Sequence, residues 1–384
     1  MKKCFGYSDN LDYSLFIIWN NALEKEEEII KYIDEKFNII FNCLIYWSDE
    51  FYNENIKRFY SKVNADATAV SAIHKKIGKM PFRLIVVSDE NPIYRFRKSV
   101  SGVYEIVNLN IFDSKNELRA RCAQKFQIHA SNNFNEFKFQ MSLLLGVDDT
   151  ISIINRKKEN VKLIKKDLEG HSGWKNYNEL FKLINYTQNY MILRDFYDFK
   201  NENYNIGDID FLTDDYQNLA SLMNVKQTTD RPYKGTISVK QKSIKVDIRH
   251  ISDNYFDERW QINALSNRVK FLNTYVPNWV DLFFIDLYHV MIHKNKLTDR
   301  HINRLKNHAN NAFVDDIDFN FRTELRFDLL IVLYLYLSTN NYLITYPNDR
   351  GIGLNLINFI FIRHCKFINR NNLLKYLFKN LLLK

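Results

Sequence analysis

Several residue types are scarce in this sequence, and each shortage excludes a class of protein. The 384 residues include 4 cysteines, 10 glycines and 5 prolines. No two cysteines form a Cys-x-x-Cys pair, so neither a disulfide framework nor a zinc site is indicated. So little glycine and proline is not typical of a disordered or repetitive chain. The longest apolar runs, such as 329–337, are too short to span a bilayer, and no apolar stretch follows Met1. We therefore expect a cytoplasmic protein.

Apolar and aromatic residues, in contrast, are plentiful. They make up 46% and 15% of the chain, enough for sizeable cores in the two or three domains that this length predicts. The formal net charge is +9, but most of the excess lies in residues 350–384, which contain basic and no acidic side chains. Because the rest of the chain is close to neutral, nucleic acid is not an expected partner.

The last residues, 371–384, carry apolar side chains on one side at helical spacing. Lys375 and Lys379 lie on the other side. Two interpretations stay open for this basic amphipathic helix. It packs as the last core helix, which we prefer, or it makes peripheral contact with an anionic membrane surface such as the inner membrane.

Residues 1–150 alternate between β-branched or aromatic stretches and charged amphipathic ones. The predicted strands are 15–19, 39–47, 82–87 and 104–110, and the predicted helices are 22–36, 50–60, 114–123 and a last one that ends at Leu145. A βαββαβ order predicts an antiparallel ferredoxin-like sheet with helices on one face.

Within this region, Ile-His-Ala-Ser-Asn at 128–132 is similar to the Ile-His-Gly-Ser-Asp segment of nucleoside diphosphate kinases. The resemblance extends to Asn-Ile-Phe-Asp-Ser-Lys at 110–115 and to the segments 28–33 and 58–60. It implies a nucleoside diphosphate kinase-like domain in which His129 accepts phosphate while Arg119 and Tyr60 contact a nucleotide. A structural hydrogen-bonding role for His129 is the alternative.

This sequence departs from that family at three positions. Trp19, Phe126 and Ala130 stand where the family has lysine, asparagine and glycine. We therefore expect a related fold with partial chemistry, and not ordinary diphosphate kinase activity.

A second group of polar residues lies in the middle of the chain. Asp208 and Asp210 are two apart in Gly-Asp-Ile-Asp-Phe-Leu, and Asp247 stands in Val-Asp-Ile. If both runs are β-strands, the acids leave the same face, because side chains alternate with period two. Three carboxylates make an all-oxygen site for Mg²⁺ or Mn²⁺, which suits in-line displacement at phosphorus. The alternative is surface acids at strand ends.

The order helix, strand, Gly-Asp-Ile-Asp-Phe-Leu, helix, Val-Asp-Ile over residues 174–275 resembles the nucleotidyltransferase fold of the DNA polymerase β superfamily. The resemblance implies that Asp208, Asp210 and Asp247 bind catalytic metal ions. The Gly-Ser pair that the family places before the paired acids is missing from 194–203. Arg194, at the end of a predicted strand, is our candidate to hold phosphate in its place, with a surface salt bridge as the alternative.

The segment 276–384 is predicted to be helical. His289 and His293 are four apart on a predicted helix over 279–294, a spacing that can bind zinc. No glutamate lies between them and no third ligand has a suitable spacing. We therefore interpret the pair as a buried polar network or as a wall of the neighbouring active site.

Together these patterns predict an α+β protein with three parts: 1–150, a nucleotidyltransferase-like core at 151–275, and the helical segment 276–384. The pairing of two such modules resembles proteins of bacterial capsule and lipopolysaccharide gene clusters. It implies a metal-dependent nucleotidyl- or phosphotransferase, with a nucleotide-activated donor and a glycan or polyol-phosphate acceptor. Two other functions stay open: a non-catalytic nucleotide-binding scaffold or regulator, and a toxin-type nucleotidyltransferase.

Overall fold

In the computed structural model the chain divides into two compact units. The first comprises residues 1–187 and 217–224, and the second comprises 188–216 and 225–384. The structure describes residues 11–61, 73, 75–98, 104–124, 126–200, 207–228, 233–312, 326–349 and 351–364. The division differs from the predicted boundaries at 150 and 275. The helical segment shares the second unit with the strands that carry the acids. The predicted tail helix at 371–384 lies outside the described residues.

The first unit is built on a five-stranded sheet with the order β6-β1-β3-β2-β7. Its elements are β1 (Asp12–Ile18), a 3₁₀ helix (Asn20–Lys25), α1 (Glu26–Asp34), β2 (Asn38–Tyr46), α2 (Tyr52–Phe59), β3 (Phe82–Asp89), β4 (Tyr94–Lys98), β5 (Tyr104–Asn108), α3 (Leu109–Arg121), β6 (Ile128–Ala130), α4 (Phe134–Leu145), α5 (Val147–Ile154), β7 (Leu163–Lys165) and α6 (Tyr177–Thr187). Neighbouring strands are antiparallel except for β2 and β7. Three of the four predicted strands lie in this sheet as β1, β2 and β3, whereas its strand β6 was not predicted.

Two local predictions for this unit are wrong. The predicted strand 104–110 ends at Asn108, and it pairs with β4 in a separate two-stranded sheet. The helix predicted from 114 already begins at Leu109, because the side chain of Asn108 accepts a hydrogen bond from the backbone N–H of Asn110. Such a cap satisfies an amide that has no partner inside the helix.

The second unit has a five-stranded sheet with the order β10-β11-β12-β9-β8. Its elements, with α7 of the first unit between them, are β8 (Tyr190–Ile192), a 3₁₀ helix (Phe196–Lys200), β9 (Asp208–Thr213), α7 (Tyr216–Met223), β10 (Lys226–Gln227), β11 (Lys234–Val239), β12 (Lys242–His250), α8 (Glu258–Ser266), β13 (Val269–Phe271), β14 (Thr274–Val276), α9 (Trp279–Tyr288), a π-helix (His289–His293), α10 (Asp299–Ala312), α11 (Arg326–Thr339) and α12 (Leu356–His364). Strands β9 and β12 are parallel, and the other neighbours are antiparallel.

A large apolar core joins helices α8 to α12 to this sheet. Met191 and Leu212 contribute from the strands, and Trp260, Phe283 and Leu333 contribute from the helices. The predicted helix over 279–294 is α-helical only as far as Tyr288 and continues as the π-helix. Within the described ranges, no helix is long and apolar enough to cross a membrane.

Candidate active site

The parallel pairing of β9 and β12 brings the three predicted acids to one face of the sheet. Asp210 lies opposite Asp247 in the ladder, and Asp208 lies opposite Lys245. Residues that are in register point to the same side, and residues two apart on a strand do so as well. Asp208 is exposed, whereas Asp210 and Asp247 keep only 5% and 8% of their surface. The acids therefore meet at the start of β9, with one of them open to solvent.

The register of these strands is fixed by the apolar residues between the acids. Ile209 and Phe211 alternate with the acids on β9 and are fully buried, as are Val246 and Ile248 on β12. A slip by one residue would exchange the two faces and bury acids in place of aliphatic side chains. Hydrophobic burial therefore holds the acids in place.

Arg194 holds the middle acid. Its Nε donates to Asp210 Oδ2 at 2.7 Å, and its Nη1 donates to the hydroxyl of Tyr255 at 3.4 Å. Burial works against the charge on Arg194, but the Asp210 carboxylate outweighs it and holds the pKa of the guanidinium well above its usual value. Arg194 is therefore a permanent cation.

The backbone around Arg194 is fixed on both sides. The N–H of Leu193 donates to the carbonyl oxygen of Asp210 at 2.8 Å. Asp195 has a left-handed φ of 56°, which is unfavourable for a residue with a side chain and is kept only where the surroundings enforce it. Arg304 supplies that constraint, since its Nη1 donates to both carboxylate oxygens of Asp195 at 3.4 Å.

Only one of the two carboxylate oxygens of Asp247 has a hydrogen-bond partner among the described residues. Its Oδ2 accepts from Arg249 Nη2 at 2.7 Å and lies 3.2 Å from Lys234 Nζ. Its Oδ1 is buried and has no hydrogen-bond partner among the described residues. A buried carboxylate oxygen without a donor is costly and rare in native proteins. This atom therefore marks unused binding capacity in the site.

Arg249 has a second counter-ion. The same Nη2 that binds Asp247 donates to Asp349 Oδ2 at 3.1 Å. Burial disfavours the charged guanidinium, but Asp247 overcomes this and raises the pKa of Arg249. Burial likewise disfavours the ionised Asp349, but the N–H of Gly351 and the charge of Arg249 prevail and lower its pKa.

Charged side chains of both signs influence the pKa of Asp208. Partial burial and the neighbouring Asp210 carboxylate raise the pKa of Asp208, while the charges of Arg194 and Lys234 oppose the rise. The exposed one of the three acids is therefore under the electrostatic influence of both cations.

Behind the arginines lies a polar cluster that includes the predicted histidine pair. The Tyr255 hydroxyl is 2.7 Å from His289 Nδ1, and the Tyr255 ring centroid is 4.4 Å from that of His293. Burial, followed by the charge of Arg194, lowers the pKa of both imidazoles, that of His293 to about 3. Both rings are therefore neutral at pH 7. A π-helical turn is frequent at functional sites.

The described ranges contain no group of three or more His, Cys, Asp or Glu side chains arranged to hold a metal ion. The reason lies in the ion pairs, since Asp210 and Asp247 each turn Oδ2 towards an arginine. The donor types nevertheless fit a hard cation. The site has the unpartnered Oδ1 of Asp247 and the exposed carboxylate of Asp208, and oxygen atoms with water are what Mg²⁺ prefers.

In the first unit, His129 lies on β6 and is buried, with 8% of its surface exposed. Its Nε2 is 3.0 Å from Gln140 Oε1, and its ring packs edge-on against Phe59 and Tyr60. Burial and the charge of Lys115 lower the pKa of His129 to about 3, although the Gln140 hydrogen bond opposes this. The imidazole is therefore neutral and held from inside the fold.

The other two residues predicted for this region also bind within the chain. Tyr60 accepts a hydrogen bond from Trp19 Nε1 at 3.1 Å, and Arg119 Nε donates to the carbonyl of Ile128 at 2.8 Å. The structure brings Tyr60 into contact with His129 and places Arg119 on the residue before it. Whether the three bind a nucleotide stays a prediction.

Sequence reasoning missed four residues of the second unit's site: Lys234, Arg249, Tyr255 and Asp349. Arg249 had a visible signal, since it follows Asp247 by two and therefore lies on the same face of β12. Lys234 and Asp349 had none, because only the folded chain brings them to Asp247 and Arg249.

Comparison with known proteins gives little guidance. No family model matches the chain, and no curated protein matches it. Among solved structures, a crystal structure of the nucleoside diphosphate kinase of Aquifex aeolicus is similar to 34% of this chain, covering 92% of its own length at 17% identity with a TM-score of 0.23. A score this low carries no argument about function.

Proposed function

We propose that the chain is a metal-dependent nucleotidyl- or phosphotransferase whose reaction takes place at Asp208, Asp210 and Asp247. The observation that carries the proposal is the in-register pairing of Asp210 with Asp247, with the buried Asp247 Oδ1 left unpartnered. An oxygen that lacks a donor inside the protein is free to accept a cation, whereas the Oδ2 atoms of Asp210 and Asp247 are already bound to Arg194 and Arg249.

Each side chain of the site has a role in this proposal. A bound divalent cation would orient a phosphate group and neutralise charge during in-line displacement. Asp208, which solvent reaches, Asp247 Oδ1, and Asp210 would hold it. Arg194, which is paired with Asp210, and Lys234, which contacts Asp247, would bind phosphate oxygens, the Arg through its planar fork. Tyr255 fixes the guanidinium of Arg194 through its hydroxyl.

The substrate class follows from the same chemistry. We propose a nucleotide-activated donor, whose phosphates match the cations, and a sugar or polyol phosphate as acceptor, as in surface polysaccharide synthesis. A panel of nucleoside triphosphates and nucleotide sugars, incubated with Mg²⁺ or Mn²⁺ and followed by ³¹P NMR, tests this. Consumption of a donor that stops with chelator and in Asp208→Asn is expected. Asp299→Asn, an exposed acid on α10, is the matched control.

A specific observation favours a second candidate, a nucleotide-binding scaffold without turnover. Asp210 and Asp247 each form an ion pair with an arginine through one carboxylate oxygen, which is the arrangement of a purely structural ion pair. Nucleotide binding that is unaffected by chelator, with no product from any donor in the panel, would support this candidate and reject catalysis.

A further inference from the structure

The two arginines of the acid site differ in how many counter-ions they have. Arg249 Nη2 binds Asp247 and Asp349 together, at 2.7 and 3.1 Å. Within the described part of the chain, Arg194 binds one carboxylate, that of Asp210 at 2.7 Å. Its other hydrogen bond goes to a neutral hydroxyl. The side chain of Arg249 is 4% exposed to solvent and that of Arg194 is 12% exposed. Both charges are therefore buried and need a counter-ion.

This difference decides what happens when the acids change partners. If Asp247 turns to a cation, Arg249 keeps Asp349 as its counter-ion. If Asp210 turns to a cation, Arg194 is left as a buried charge without a counter-ion, which is strongly unfavourable. Lys234 also loses the Asp247 oxygen that it contacts at 3.2 Å. Only an incoming anion can restore the balance at Arg194.

We propose that Arg194 and Lys234 form an exchangeable anion site, in which a phosphate group replaces the carboxylates of Asp210 and Asp247 as those acids take up a divalent cation. The inference rests on the proposed function and extends it. Cation and phosphate bind cooperatively, and each binds weakly alone. Arg249 and Asp349 stay paired throughout and keep β12 in place.

The fixed backbone around Arg194 makes the exchange local. Leu193 is tied to β9, and Asp195 is held by Arg304. The guanidinium can therefore change its oxygen partner without its backbone moving away. Lys234, on β11, has a side chain that keeps 36% of its surface, so a ligand can reach it.

The test measures Mn²⁺ binding by the electron paramagnetic resonance signal of the free ion, in the wild type and in Arg194→Gln. Without any anion, the variant should bind Mn²⁺ about 5- to 10-fold more tightly, because the internal competitor for Asp210 is gone. Inorganic phosphate, corrected by a protein-free blank, should tighten Mn²⁺ binding by a similar factor in the wild type and have little effect in the variant.

Two further variants keep the test decisive if Arg194→Gln does not fold. Lys234→Gln should weaken the phosphate effect, and Arg194→Lys should retain part of it, because it keeps the charge and loses the fork. Lys242→Gln is the matched control, since Lys242 is exposed at the start of β12 on the opposite face from Asp247.

The outcomes separate this inference from the function on which it rests. Failure of wild type and variants to bind Mn²⁺, with or without phosphate, would reject the metal site itself. Equal Mn²⁺ affinity in wild type and Arg194→Gln, with the same response to phosphate, would overturn the exchange and leave the metal site standing.

Discussion

The two candidate sites of this protein differ in how far the chain satisfies their polar groups. In the first unit, Tyr60 and Arg119 each bind a partner from the same fold, and His129 packs between aromatic rings with Nε2 on Gln140. In the second unit, one buried carboxylate oxygen of Asp247 has no partner among the described residues. Buried polar groups are normally paired, so an unpaired one calls for an explanation. The unpartnered Oδ1 atom of Asp247 is therefore the feature that separates the second candidate site from the first.

The largest expected effect tests that distinction directly. Asp210→Asn should lower turnover of the donor found in the panel by at least ~1,000-fold, because electrostatic stabilisation at a phosphate is the main catalytic term. His129→Asn should lower it less than ~10-fold. The measurement is kcat/KM for both variants with the same donor. A loss at His129 that equals the loss at Asp210 would break the comparison.

Next in size is a difference in stability. Arg249→Met should lower the free energy of unfolding by about 3–5 kcal/mol, because it removes the arginine from the buried Asp349 and leaves Asp247 with Lys234 as its described cation. Arg119→Met removes one hydrogen bond to a carbonyl and should cost about 1–2 kcal/mol. Urea unfolding followed by circular dichroism measures both. Similar losses would mean that the two sites depend equally on their arginines.

The sites share one property, a buried neutral imidazole, which predicts acid sensitivity. The pKa of His129 is about 3 in the folded chain against an ordinary value of 6.5. Between these values only the unfolded state binds the proton, so this contribution to stability is complete above pH 6.5 and is lost as the pH falls towards 3. The loss reaches about 1.4 kcal/mol per pH unit.

His129→Gln should remove that slope, so the stability difference between variant and wild type should narrow or reverse from pH 7 to pH 5. Urea midpoints at both pH values measure it. His171→Gln, at a half-buried position of the first unit, is the matched control. An unchanged difference at the two pH values would show that His129 does not govern the acid sensitivity.

The smallest expected effects come from two hydroxyl groups. Tyr255→Phe keeps the ring beside Arg194 and removes the oxygen between that arginine and His289. Turnover should fall about 10-fold with KM little changed, since a positioning contact in the transition state acts mainly on kcat. Tyr60→Phe should cost about 1 kcal/mol of stability through Trp19. A rise in KM alone for Tyr255→Phe would contradict the positioning role.

Local pattern made much of this arrangement predictable. Alternation within β9 and β12 placed Asp208, Asp210 and Asp247 on one face, because period two leaves no other choice once the apolar residues are buried. The alternation in the first unit likewise predicted three strands of its main sheet, β1, β2 and β3. The histidine pair on one helical face was predicted to belong to a polar network; His289 binds Tyr255, whereas neither ring nitrogen of His293 has a hydrogen-bond partner among the described residues.

Other features depend on contacts that no local pattern contains. The partner of Arg249 comes from a loop between α11 and α12, and the pairing of β5 with β4 takes a predicted strand out of the main sheet. The start of α3 is different, because Asn108 is a preferred cap residue and its signal was present in the sequence. The predicted start of this helix at residue 114 did not take the cap into account, and the Asn108 cap sets the observed start at Leu109.

The ion pair between Arg249 and Asp349 spans 100 residues of sequence, and this separation has a consequence for synthesis. Domains fold while the ribosome is still adding the rest of the chain. The strands that carry the three acids are made before Asp349, although they belong to the same unit as Asp349. Until then Arg249 has Asp247 as its one described carboxylate, and Asp247 cannot leave it without stranding a buried charge. Arg249 therefore obtains its second counter-ion only when the loop between α11 and α12 has been made.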